Sequence, residues 1–286
     1  MSTQVPRLLA GLVDDAAVFP PGNASLPDAV TAHRRHRAAW YADLVGPLLL
    51  PASTVAAGEL SGLVDEGLVI GLIGDTGIER LPFALSFLAP DGVTARQIEA
   101  PVAKRGEDPQ PGLAELVALA ERLGGTPVYA EIPLTFGLMS ALDSLADARA
   151  GGLPVAAKFR TGGLAAELFP TPVELAAVIC ACRDRELPYK LTAGLHHAVR
   201  HRDPETGFTH HGFVNVLAAT LAAVGGAEVD AVAELLAATD PVRVVELVRT
   251  HRDAERPLWV GYGSCSIEEP LTDLIRLGLV NGGFEE

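Results

Sequence analysis

Two stretches of the chain each place a threonine and a glycine shortly after a lysine: AAKFRTGG (156–163) and PYKLTAGLHH (188–197). The chain has three lysines, Lys104, Lys158 and Lys190, against nineteen arginines, so two of the three fall at these matched places. An amine can do what a guanidinium cannot: once deprotonated, it attacks a carbonyl carbon and forms a Schiff base. Strand alternation puts Lys158 on one face with Ala156 and Arg160, and turns Val155, Ala157 and Phe159 to the other. The opposite register would bury the charge under a helix. The same logic groups Lys190 with Thr192 and Gly194, and Tyr129 with Glu131 in VYAEI; Glu99 in RQIEA takes an equivalent place. Two lysines on successive strands repel. That repulsion, together with burial, is expected to lower the pKa of Lys158 and free its amine. Glu131 or Glu99 would then shuttle protons.

Such residues need strands to present them, and the chain supplies an alternating pattern. Candidate strands are GPLLLPAS, GLVIGLIGD, PFALSFLA, ARQIEAPVA, PVYAEIPL, LPVAAKFRTGG, LPYKLTAGLHH and PLWVGYGSCS. Between them lie amphipathic helical segments such as STVAAGELSGLVDE, GLAELVALAERLGG, GLMSALDSLADARAGG and TPVELAAVICACRDRE. No crossover helix is visible between the third and fourth strands, where PDG and a few residues connect them. Eight strands alternating with helices in 286 residues indicate an α/β fold, a (β/α)8 barrel of the TIM type, which takes about 250 residues. The reading is one domain over 1–286. Residues 1–42 form a helical extension packed on it, a plug or an oligomer contact in a homo-oligomer. The helix LPDAVTAHRRHRAAWYADL in that extension is entered through Asn23 or Ser25 as cap. Asp14 and Asp15, before AAVFPPG, read as a turn or helix start.

The composition narrows the function. A net charge of −14, with 36 acidic against 22 basic residues, excludes nucleic acid as a partner and suits a small-molecule protein. No segment approaches a membrane span and the start carries no long apolar signal core, so the expectation is a cytoplasmic protein without a membrane partner. The cysteines Cys180, Cys182 and Cys265 include no CxxC and read as reduced core residues. No cofactor and no metal is called for.

Other readings of the same residues stand beside the imine one. Both lysines could be anchored by internal ion pairs with Glu131 and Glu99 and only fill the barrel mouth. Lys158, Arg160 and Lys190 could together bind a phosphate or carboxylate in a transferase or hydrolase, or the barrel could be non-catalytic. LHHAVRHRDPETGFTHHGFVN holds five of the eight histidines, and His196 or His197 could act as general acid or base. A metal set of His197, His201 and His211 is the sharper alternative, although its spacing fits no established ligand motif. RDPETGF has turn chemistry and reads as an ordered excursion or lid.

The second half, roughly residues 126–276, resembles the deoxyribose-phosphate aldolases and related class I aldolase barrels. KFRTG is similar to that family's Lys-Thr-x-Thr-Gly-like motif on the sixth strand, KLTAG to the lysine and glycine turn of the seventh, and YGSCS to the phosphate-binding turn of the eighth. The resemblance implies a lyase acting on a small, possibly phosphorylated carbonyl compound. Lys158 would be the Schiff-base lysine and Lys190 its pKa-lowering neighbour. Gly263, Ser264 and Ser266 would cradle phosphate; the residues read by themselves add Glu131 and Glu99 as catalytic partners and Arg160, Thr161, Thr192, His196 and His197 at the substrate. Arg160 stands where the family has a small hydroxyl residue, and GLHH replaces its glycine pair. SIEE reads as a capping box, Ser266 capping and Glu269 reaching back, so its two glutamates would compete with phosphate for the helix end. The full-length pattern, including DDAAVFPPG and TAGLHH, also resembles bacterial proteins of uncharacterised function.

Overall fold

A computed structural model describes residues 5–63, 67–88 and 92–282. Eight strands close into a barrel in the order β1 (Val13–Asp15), β10 (Trp259–Ser264), β7 (Tyr189–Thr192), β6 (Val155–Arg160), β5 (Val128–Glu131), β4 (Thr94–Pro101), β3 (Val69–Ile73) and β2 (Val45–Pro51). The fold is the (β/α)8 barrel expected. Parallel strands covered by helices have no solvent face, which is why VGPLLLP and VIGLI read as continuous apolar runs.

Two elements correct the strand assignment. PFALSFLA is not a strand: Leu81–Ser86 form helix α3, the crossover missing from the sequence reading, entered through a proline at its first turn. Of the PDG connection, Pro90 and Asp91 lie outside the described residues. The eighth strand comes instead from the N-terminal stretch, where Val13, Asp14 and Asp15 form β1, fully buried rather than a turn. Three residues are too short a run for alternation to register. The helix expected over 53–66 is also shorter, α2 spanning Ala52–Ala56, and residues 64–66 lie outside the described part.

The chain divides into two compact units. The first comprises Met1–Asp14, His36–Gly46 and Arg160–Glu286; the second comprises Asp15–Arg35 and Pro47–Phe159. In the second unit, α1 (Leu26–Ala38) is capped by Ser25, whose hydroxyl oxygen accepts the Asp28 N–H, and His33 on α1 meets Asp15 at 3.0 Å, both buried. Helices α4 (Gln110–Arg122) and α5 (Leu138–Ala150) follow the expected periodicity.

In the first unit, α6 (Pro172–Asp184) starts at a capping box, Thr171 and Glu174 each accepting the other's backbone N–H. A two-residue-per-strand hairpin, β8 (His201–Arg202) with β9 (Thr209–His210), follows β7. Then come α7 (Phe213–Val224), α8 (Val229–Ala237), α9 (Pro241–Thr250) and, after β10, α10 (Glu268–Arg276). Helix α7 is apolar nearly all round and buried, because α6, α8 and α9 pack against it. Phe213 stacks on Tyr262 of β10, and Tyr262 on Trp259. The three cysteines are free thiols. Cys182 is in the core, where burial pushes its thiol up to about 12, whereas Cys265 is half-buried. Among the described residues no helix is long and apolar enough to cross a membrane.

Candidate functional site

In the second unit, strand register brings the expected residues together. Glu131 lies opposite Lys158, and Glu99 opposite Tyr129, so Glu99 sits two residues nearer the strands' N-terminal ends. Lys158 Nζ reaches both carboxylates, Glu99 Oε2 at 2.7 Å and Glu131 Oε2 at 2.8 Å. The other oxygen of Glu99 accepts a hydrogen bond from Gln97 Nε2 at 2.9 Å. Glu99 and Lys158 side chains are 1% and 4% exposed, but Glu131 is 17% exposed, so it is the member open to an incoming molecule.

This geometry overturns the expected lowering of the Lys158 pKa. Burial does pull it down and is the largest single influence, but the charges and hydrogen bonds of Glu131 and Glu99 together outweigh it. The pKa is raised, and Lys158 rests as an ammonium. Two carboxylates thus surround the one ammonium.

In the first unit, Lys190 has its own partner. Its Nζ donates to Asp14 Oδ2, with Lys190 1% and Asp14 5% exposed. Asp14, read from sequence as a turn residue, is the carboxylate that neutralises Lys190. Gly46 on β2 makes room for it: a Cβ there would lie 1.9 Å from Asp14 Oδ1. The sequence signal for this was the acidic pair itself, but nothing in a three-residue strand marks which way either side chain points.

The matched Thr and Gly have a structural use. Thr161, fully buried, donates its N–H to the Thr192 carbonyl at 2.9 Å and its hydroxyl to the Ala193 carbonyl at 2.6 Å. Gly162 and Gly194 then lie backbone to backbone, so that a Cβ on Gly162 would come within 2.8 Å of Gly194 Cα. Gly194 also has φ +76°, a region that favours glycine. Thr161 is thus occupied in stitching the turns after β6 and β7 together. Thr192 is half-buried at the end of β7, and Arg160, the last residue of β6, is exposed.

The histidine loop separates into different roles. His196 Nδ1 lies 3.3 Å from Glu269 Oε2 and 3.7 Å from Cys265 Sγ. His197 Nδ1 lies 3.2 Å from Asp273 Oδ2, which also accepts the Ala198 N–H at 2.9 Å. Carboxylates one turn apart on α10 therefore hold consecutive histidines. His201 stacks on His210 across the hairpin, and His197 packs edge-on against His201. Burial lowers the pKa of both His201 and His210. His211 is buried and turned away: its Nε2 donates to the Pro170 carbonyl at 2.8 Å and its Nδ1 lies 3.2 Å from Arg200. Burial holds it down at about 4. With both ring nitrogens of His211 engaged elsewhere, the set of His197, His201 and His211 does not converge on a metal. Among the described residues no group of three ligating side chains could hold one. RDPETGF is the tip of the hairpin, closed by Asp203 Oδ1, which accepts the N–H groups of Glu205 and Thr206.

The turn after β10 holds Gly263, Ser264 and Ser266. Gly263 pairs in register with Thr192. Ser264, 3% exposed, donates its hydroxyl to the Ser266 carbonyl at 2.7 Å and accepts the Ser266 N–H at 3.3 Å. Ser266 accepts the Glu269 N–H at 3.2 Å, as the capping reading expected, but the Glu269 side chain turns to His196 instead of back to the cap.

Comparison with known proteins returns no match: no family model, no curated protein and no solved structure is similar to the chain.

Proposed function

We propose that the chain is a lyase of the class I aldolase type, forming a Schiff base between Lys158 and a small carbonyl compound. The observation that carries this reading is the Lys158–Glu99–Glu131 cluster: a buried amine with a partly exposed carboxylate at 2.8 Å to take its proton. Support also comes from its place, near the C-terminal end of the sixth barrel strand, the end where barrel enzymes keep their chemistry. An anion clamp of Lys158, Arg160 and Lys190 is the weaker reading, because each lysine is already neutralised by carboxylates of its own unit.

The steps balance on these groups. Lys158 Nζ passes a proton to Glu131, and the free amine attacks the carbonyl carbon to give a carbinolamine. Glu131 returns the proton to the departing hydroxyl, which leaves as water, and an iminium remains. Breaking the bond between the α and β carbons sends its electron pair into the iminium as an enamine, while the β-hydroxyl proton passes to the carboxylate and an aldehyde leaves. Reprotonation and hydrolysis restore Lys158. Glu99, locked by Gln97, keeps the ammonium placed between turnovers.

Borohydride trapping tests this. Wild-type protein and Lys158→Arg, which keeps the charge for both glutamates, are incubated with small aldehydes, ketones and 2-oxo acids, reduced, and read by intact mass and peptide mapping. The expected result is an adduct on Lys158 in wild type alone. No adduct across the panel, or an equal adduct in Lys158→Arg, sinks the reading.

A further inference from the structure

We infer that the β8–β9 hairpin is an acid-released latch over the loops that follow β6 and β7, closed only while His201 and His210 are both uncharged. All of its parts lie in the first unit, and it stands apart from the Schiff-base reading. His201 on β8 is the register partner of His210 on β9, and their rings stack with centroids 5.3 Å apart. His210 Nδ1 donates to the Gly194 carbonyl, in the turn after β7, at 3.2 Å. Its ring also packs edge-on against Phe169 of the β6–α6 loop, centroids 4.8 Å apart, and Phe208 packs on the same Phe169 at 4.9 Å. One histidine therefore ties the hairpin to both loops.

These bonds set the tautomers. With its Nδ1 proton given to Gly194, His210 carries a lone pair on Nε2, an atom that is buried and meets no hydrogen-bond partner among the described residues. A proton added there would be part of a buried cation without an acceptor, a far costlier state than an idle lone pair. His201 Nδ1 donates to the Val199 carbonyl at 3.2 Å, so a second proton makes that ring a cation stacked on its cross-strand partner. Like charges directly opposite on paired strands repel. Burial lowers the pKa of both rings, in the same direction.

The neighbouring charges leave this sign in place. Asp203 favours the protonated rings, but its Oδ1 already accepts the N–H groups of Glu205 and Thr206 and the Thr206 hydroxyl, and burial outweighs it. His197 opposes a charge on either ring and His196 one on His210, and α10 holds these two through Asp273 and Glu269. Arg202 on β8 donates to the Gly207 carbonyl, and Arg200 lies against His211, so both add positive charge nearby. His201 and His210 therefore take up protons more readily in the released hairpin. Closure is fully held above the ordinary histidine value of 6.5 and is lost as pH falls below it.

Hydrogen exchange of the wild-type protein, read by mass spectrometry and corrected for the intrinsic pH dependence of exchange, is compared at pH 7.5 and pH 5.5. Two protons, each favouring release by up to about tenfold one unit below the ordinary value, set a ceiling of about a hundredfold. Protection of residues 201–210 is expected to fall by at least about tenfold, while that of α8 is retained. A smaller fall in the hairpin overturns the inference, and so does an equal fall in α8, which would mean that the whole unit opens. Histidine ring-proton NMR of the same protein is expected to show His201 and His210 titrating below pH 6.5, in step with the loss of protection; midpoints at or above 6.5 overturn it. His201→Gln/His210→Gln is expected to remove the pH response of the hairpin, and a folded variant that keeps the wild-type response overturns the assignment to these two rings.

Discussion

Removing the ammonium of Lys158 should cost more than removing either of its partners. In Lys158→Met, two carboxylates that shared one cation at 2.7 and 2.8 Å are left facing each other, one of them 1% exposed. Each contact is worth roughly 6 kcal/mol in Coulomb terms at an effective dielectric of about 20, and desolvation of the ions takes back most of that. The remainder expected on breaking a buried pair is about 3–5 kcal/mol. Glu131→Gln should cost less, about 1–2 kcal/mol, because Glu99 still pairs with the amine and position 131 reaches solvent. Restoring neutrality with Lys158→Met/Glu99→Gln/Glu131→Gln should recover much of the loss, since three neutral groups of similar volume leave no uncompensated charge. Equilibrium urea unfolding of the four proteins at pH 7 measures all of this. A loss below about 1 kcal/mol for Lys158→Met at pH 7, or a triple variant no more stable than that single variant, would refute the picture of a tightly coupled buried cluster.

Two further perturbations probe the first unit. Gly46→Ala should destabilise by about 2–4 kcal/mol, because its methyl occupies the place of Asp14 Oδ1 and pushes the carboxylate off Lys190; denaturant midpoints read this, and a change under about 0.5 kcal/mol would sink it. His211, neutral in the fold with a pKa of about 4 against an ordinary 6.5, takes up its proton more readily in the unfolded chain, so stability should fall as pH drops through that window. The difference of about 2.5 units at about 1.36 kcal/mol each sets an upper figure of about 3 kcal/mol. In His211→Gln the loss between pH 6.5 and pH 4 should be shallower than in wild type by that order, and parallel curves for the two proteins would rule the assignment out.

The legible part of this protein was the part written in side-chain pattern. Alternation in VAAKFR, VYAE and RQIEA was enough to place Lys158, Glu131 and Glu99 on one face, and their mutual contacts follow. Helices α4, α5 and α6 likewise announce themselves through their apolar repeat, and α6 also through its capping box. PFALSFLA was misread because a short, fully apolar run looks the same as a buried strand or a buried helix turn. VDD was missed because three residues carry no period, and with it went the partner of Lys190.

The sequence alone determined the barrel and which carboxylates could meet Lys158, because a two-residue period puts alternate residues of a strand on one face. Only the tertiary structure decided which charges Lys158 and Lys190 meet. A pKa depends on every charge within a few ångströms, and Asp14 is 176 positions from Lys190. The same holds for the β10 turn. GSCS has the residues to cradle an anion, but whether its hydroxyls face outward or bond the backbone around them is settled by backbone geometry that composition does not encode, and here both bond backbone groups.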